Sequence, residues 1–80
     1  MTTNNKPVFK ATIGFITASV WRNSKDGIVM YSTDITRSYR DKEGNWQSVS
    51  AFNHDDLLNV AKLAERAESF IAKDKQASTT

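Results

Sequence analysis

The sequence predicts an α+β domain, a curved antiparallel β-meander of three to four strands followed by one C-terminal helix packed on one face. Three observations predict it. β-Branched and aromatic residues crowd the stretch from Val8 to Phe52, "RNSKDG" and "DKEGN" punctuate it as turns, and after Asn53 the apolar spacing changes from two to three or four.

The elements follow in chain order. "VFKATIGFITASVW" (8–21) is strand-like with Gly14 at its centre, which fits one long bent strand or two short ones. "RNSKDG" (22–27) reads as a turn, because Asp26-Gly27 tolerates positive φ. A strand from Ile28 to about Tyr39 comes next, then the turn "DKEGN" (41–45) and a strand from Trp46 to Phe52. Such short turns make successive strands antiparallel neighbours. Asn53 is a favoured N-cap, Asp56 completes a capping-box variant, and Phe52 with Leu57 fits a hydrophobic staple. Asp55 and Asp56 belong in the first helical turn, where the helix dipole favours carboxylates. Leu57, Val60, Ala61, Ala64, Ala67 and Ile71 form the expected buried stripe of a helix running to about Lys73. Leu63 and Phe70 lie off that stripe and are expected to serve a second contact surface, a dimer interface, or else to pack on the sheet edge or the N-terminal segment.

Length and composition bound the rest. Eighty residues make a single domain (1–80), ordered over about 7–73, with polar, aperiodic tails at 1–5 and 74–80. There is no cysteine and one histidine, His54, so neither disulfides nor a thiolate or imidazole metal site can supplement so thin a core. Self-association as a homodimer is therefore expected. No apolar run approaches a membrane span and the N-terminus lacks a secretory core, which points to a cytoplasmic protein without a membrane partner. The net charge is +2, with seven basic against four acidic residues in 1–53 and four against five in 54–80. The positive potential belongs to the sheet.

No Gly-rich phosphate loop, nucleophile with a base, or metal-ligand spacing is present, so no enzyme, catalytic residue, metal or cofactor is expected. Asp34 in mid-strand is expected to pair with an arginine across the strands. Alternation sets Ile16, Ala18 and Val20 against Phe15, Thr17, Ser19 and Trp21, and the second set faces away from the helix. In the next strand neither parity is cleanly apolar, and a bulge before Arg37 is one way to reconcile them. Aromatics, hydroxyls and arginines on an uncovered sheet face suit unpaired nucleic acid, whose bases stack on rings while Lys and Arg follow the phosphates. The candidate nucleic-acid-binding residues are Lys10, Trp21, Arg22, Arg37, Tyr39, Arg40, Lys42 and Trp46, with Trp21, Tyr39 and Trp46 as stacking groups. The alternative is a small protein-interaction or inhibitor module whose aromatic face meets a partner protein.

The order of meander and helix, with "SYRDKEGNW" leading into a strand that ends at "FNHDDL", resembles the family of the eukaryotic transcriptional coactivator known as positive cofactor four and its small bacterial relatives. The resemblance covers roughly Gly27 to Ile71 and is most specific at Ile35, Tyr39, Glu43-Gly44 and the helix start. It implies a four-stranded antiparallel sheet, a helix that completes a homodimer, and binding of single-stranded DNA without strong sequence preference, in transcription, replication or repair. It also implies that Tyr39 contacts unpaired bases. Where the family has a basic residue directly after the isoleucine, this chain has Thr36, with Arg37 one position on.

Overall fold

The computed structural model describes residues 6–78. Strands β1 (Phe9–Ile13), β2 (Ile16–Lys25), β3 (Ile28–Arg40) and β4 (Trp46–Val49) form one antiparallel sheet in the order β1-β2-β3-β4. A 3-10 turn (His54–Asp56) then leads into helix α1 (Leu57–Ser78). The meander followed by one helix is thus present, with four strands. The tail at 1–5 lies outside the described residues, as do Thr79 and Thr80.

The turns account for the strand boundaries. Gly14 has φ 61° and Phe15 does not share its positive φ, so the two-residue turn has glycine at the first central position, as a type II′ hairpin needs. The stretch 8–21 is therefore two strands. Asp26 (φ 55°) and Gly27 (φ 77°) are both left-handed, the pattern of a type I′ turn, which needs only two residues. Arg22–Lys25, expected in the turn, instead continue β2 and pair with Ile28–Tyr31. β4 ends at Val49 rather than at Phe52, because Phe52 leaves the sheet to pack on the core. β3 runs without a bulge from Ile28 to Arg40, so Tyr31, Ile35, Arg37 and Tyr39 share one face.

The core is one layer thick. Ile16, Ala18 and Val20 point at the helix and are buried with Leu63 and Ala67, while Ala11, Ile13, Ile35, Phe52 and Val60 close its margins. The small side chains of Ala18 on the sheet and Ala67 on the helix, both buried, leave room for helix and sheet to approach closely. The helix crosses β1 and β2 and reaches β3. Its buried stripe is Val60, Leu63, Ala67, Phe70, Ile71 and Asp74, rotated by about 60° from the expected one at 100° per residue. Leu57, Ala61 and Ala64 are exposed, because the bulkier Leu63 and Phe70 took the apolar side.

Three expectations are corrected by this rotation. Leu63 is fully buried inside its own chain and offers no dimer interface, while half-buried Phe70 stacks on Phe9 of β1 with ring centroids 5.0 Å apart, the packing on the N-terminal segment expected as the alternative. Phe52 sits in the core margin while Leu57 stays 52 % exposed. The helix also continues beyond Lys73: Arg22 Nη1 donates to Asp74 Oδ2 at 2.7 Å, and the Tyr31 hydroxyl donates to the same oxygen. That pair of bonds ties the last turns of α1 to β2 and β3, where a frayed tail was expected.

Candidate nucleic-acid interface

The turn between β3 and β4 is organised by one carboxylate. Asp41 Oδ1 accepts the amides of Glu43 and Asn45 at 2.9 Å each, and Oδ2 accepts the side-chain amide of Gln47 at 3.1 Å. The Asn45 amide and then Gln47 hold the Asp41 carboxyl below the usual carboxylate range. The Asp41 amide in turn donates to Asn45 O at 2.9 Å, and Gly44 takes the left-handed position, φ 85°. This clamp fixes the residues on either side of it, Arg40 and Trp46, as cross-strand partners.

The β1–β2 turn arrives at the same end of the sheet, because Ile16 is in register with Arg37. Phe15 therefore meets Trp46, with centroids 6.0 Å apart and planes at 35°. The Arg40 guanidinium carbon lies 5.5 Å from the Trp46 ring centre, and that of Arg37 lies 5.7 Å from the Tyr39 ring centre. Arg37 is held from behind: its Nε donates to Ala51 O at 3.2 Å and lies 3.5 Å from Asp56 Oδ2. Asp56 is placed by accepting the Asn53 amide at 3.0 Å, half of the expected capping box.

Together these groups line an open cavity of about 540 Å³, with Gly14, Phe15, Arg37, Tyr39, Arg40 and Trp46 on the sheet side and Asn53, Asp56 and Asn59 from the helix start. By alternation Arg37 and Tyr39 belong to the helix face, while Phe15, Arg40 and Trp46 belong to the other. The cavity is the mouth at the sheet's end that both sets reach. Phe15, Trp46 and Tyr39 are 65 %, 57 % and 38 % exposed, so aromatic area stands open to solvent beside two guanidinium groups.

Four of the eight expected residues, Arg37, Tyr39, Arg40 and Trp46, thus converge, and Lys42 is exposed in the adjoining turn. The others do not join them. Trp21 is half-buried on the open face opposite Ser32, seven strand positions from Tyr39, or about 23 Å. Lys10 of β1 is exposed on the same open face, opposite Ser19 of β2. Arg22 is committed to Asp74, whose hydrogen bond and charge raise the arginine's pKa. Asp34 lies exposed opposite Ser19 and makes no ion pair among the described residues, contrary to the arginine partner expected for it. Phe15, which was read only as an outward aromatic, is the member that sequence reasoning missed. A glycine directly before it marked the tight turn that carries it to the Trp46 end.

Among the described residues no group of three or more His, Asp or Glu side chains could hold a metal ion, and no helix is long and apolar enough to cross a membrane. No family model, curated protein or solved structure matches the chain.

Proposed function

We propose that the chain binds single-stranded nucleic acid, DNA in the first instance, without strong sequence preference, and acts by binding rather than by catalysis, with no cofactor. The observation that carries this reading is the mouth at the sheet's end, where three exposed aromatic rings stand with two arginines laid over two of them. A base has a π-face that any of these rings can stack on, and the phosphates beside it need cations that cannot lose their charge. Arg37 is positioned by Ala51 and Asp56 through its Nε, so its Nη groups are pre-oriented for an anion. Arg40 and Lys42 supply further positive charge from the clamped turn. In this reading Tyr39, Trp46 and Phe15 stack bases, Arg37, Arg40 and Lys42 hold phosphates, and Arg22 serves the fold. The resemblance to the positive cofactor four family supports a stacking role for Tyr39, and the protein would act in the cytoplasm, in transcription, replication or repair.

The test is fluorescence anisotropy of a labelled poly-dT 20-mer at low and moderate salt, with tryptophan emission followed in parallel. Three neutralised phosphates on a single strand give a slope of about −2 in log affinity against log salt, together with quenching of Trp46. Absence of binding at low salt, or binding indifferent to salt, would favour a protein partner on the same aromatic mouth, since apolar contacts are far less screened.

A further inference from the structure

β3 is thirteen residues long, yet β4 pairs only with Arg37–Arg40. Among the described residues, Ile28–Thr36 therefore has strand β2 on one side and no strand on the other, an open edge of nine residues, or about 30 Å. The Ser38 amide donates to Phe15 O at 2.9 Å, on the β2 side, and antiparallel ladders alternate strictly. The even residues of β3 thus bond to β2, and Val29, Tyr31, Thr33 and Ile35 direct their N–H and C=O groups outward along the open edge.

Native sheets blunt such an edge with Lys, Pro, a bulge or a covering segment. Here there is no bulge, no proline and no lysine in Ile28–Thr36, Asp34 is its one charged residue, and Ile28 and Met30 are each 62 % exposed. The chain after Val49 leaves on the helix face, where Ala51 O meets Arg37, and so does not cover the edge.

We infer that this edge is where a second copy of the chain docks, β3 against β3 in antiparallel register about a two-fold axis at Ser32. The register follows from self-complementarity. With the axis at Ser32, Val29 stands opposite the partner's Ile35 and Tyr31 opposite the partner's Thr33, so all four outward residues of each chain are hydrogen-bonded, about eight bonds in all. No other two-fold register pairs all four with one another. The side chains agree: a β-branched pair and an aromatic–threonine pair form on the helix face, and Ile28 covers the partner's Thr36 on the other. The two Asp34 carboxylates lie four strand positions apart, about 13 Å, beyond the screening length at physiological salt. Two thin sheets become one continuous eight-stranded sheet with both helices on the same side. The inference is independent of the nucleic-acid reading and uses none of its residues.

Three variants of the full chain test it by light scattering and amide hydrogen exchange. Thr33→Pro removes an outward N–H without touching the β2–β3 ladder, and Val29→Lys puts a charge beside the pairing edge. Ala61→Glu alters the exposed helix flank as a control. Wild type is expected at twice the 9.0 kDa chain mass. Thr33→Pro and Val29→Lys are expected at the chain mass with unchanged far-UV circular dichroism, and Ala61→Glu at the dimer mass. The amides of Val29, Tyr31, Thr33 and Ile35 should exchange several-fold, up to about sixfold, more slowly at 200 μM than at 5 μM protein, because the monomer fraction of a dimer falls at most as the square root of concentration. A wild-type chain at monomer mass up to 200 μM overturns the inference, and so does a folded Val29→Lys that stays dimeric. Should Thr33→Pro unfold, Val29→Lys and the four amides decide alone.

Discussion

Arg37 and Arg40 show how a side chain's role depends on what its guanidinium already holds. Arg22 has the same chemistry, but its cation is spent on Asp74, and Tyr31 shares that carboxylate. Two predictions belong at this scale. Tyr39→Ala and Trp46→Ala should each weaken poly-dT binding roughly 5- to 150-fold, the equivalent of about 1–3 kcal/mol per stacked base. Trp21→Ala, on the open face far from the mouth, should change it less than about twofold. Anisotropy titrations of the three variants check this, and a large loss in Trp21→Ala would move the binding path onto the open face. The second concerns pH. Hydrogen bonds from Tyr31 and then Arg22 depress the Asp74 pKa, so its ion pair contributes stability above about pH 4 that disappears as pH falls through the depressed value. Asp41, likewise depressed by its turn amides, adds to the same acid limb. Asp74→Asn should therefore lower the Tm at neutral pH and flatten, without abolishing, the loss of Tm on acidification.

At the scale of elements, the helix illustrates a limit of periodicity. Its apolar residues form a broad arc, and the alanines within it fit either flank, so spacing alone places the arc but not its centre. Contact with β2 decided the centre: Leu63 packs with Ile16 and Ala18 and Ala67 is buried beside it on the helix, while Leu57 and Ala61 remain outside. Leu63→Ala should accordingly cost about 2–5 kcal/mol in urea denaturation. Leu57→Ala should stay within about 0.5 kcal/mol. The reverse ranking would restore the stripe that spacing alone suggests. The turns were more legible, because positive φ has few tolerated residues. Asp26-Gly27 could be placed as a chain reversal from identity, although how many flanking residues the ladder would absorb could not, and Gly14 fitted a bend or a reversal until the β1–β2 register showed the latter.

As a whole the molecule is thin and long, 48 × 31 × 14 Å between Cα extremes. Its radius of gyration is 14.8 Å, where a compact chain of this length has about 12 Å. One helix on one sheet leaves a core of five buried residues among those described, and the sequence has no cysteine to cross-link it. If the β3 edge is completed by a second copy, folding and association are linked, and the Tm should rise with chain concentration over the micromolar range. A differential scanning series at increasing concentration checks this, and a constant Tm would mean that the thin core suffices alone.

The sequence by itself determined the local chemistry: strands from β-branched and aromatic runs, reversals from Gly and Asp, and a helix start from Asn53 and Asp56. It also marked Tyr39, Trp46 and their neighbouring arginines as unusual around one turn. Only the tertiary structure decided which of these meet. Phe15 joins Trp46 because Ile16 pairs with Arg37, and Arg22 is withdrawn because the helix returns Asp74 to it from fifty-two residues away. The reason is physical. Turn and cap preferences act over a few bonds, whereas strand register and helix rotation are set by mutual burial between segments distant along the chain.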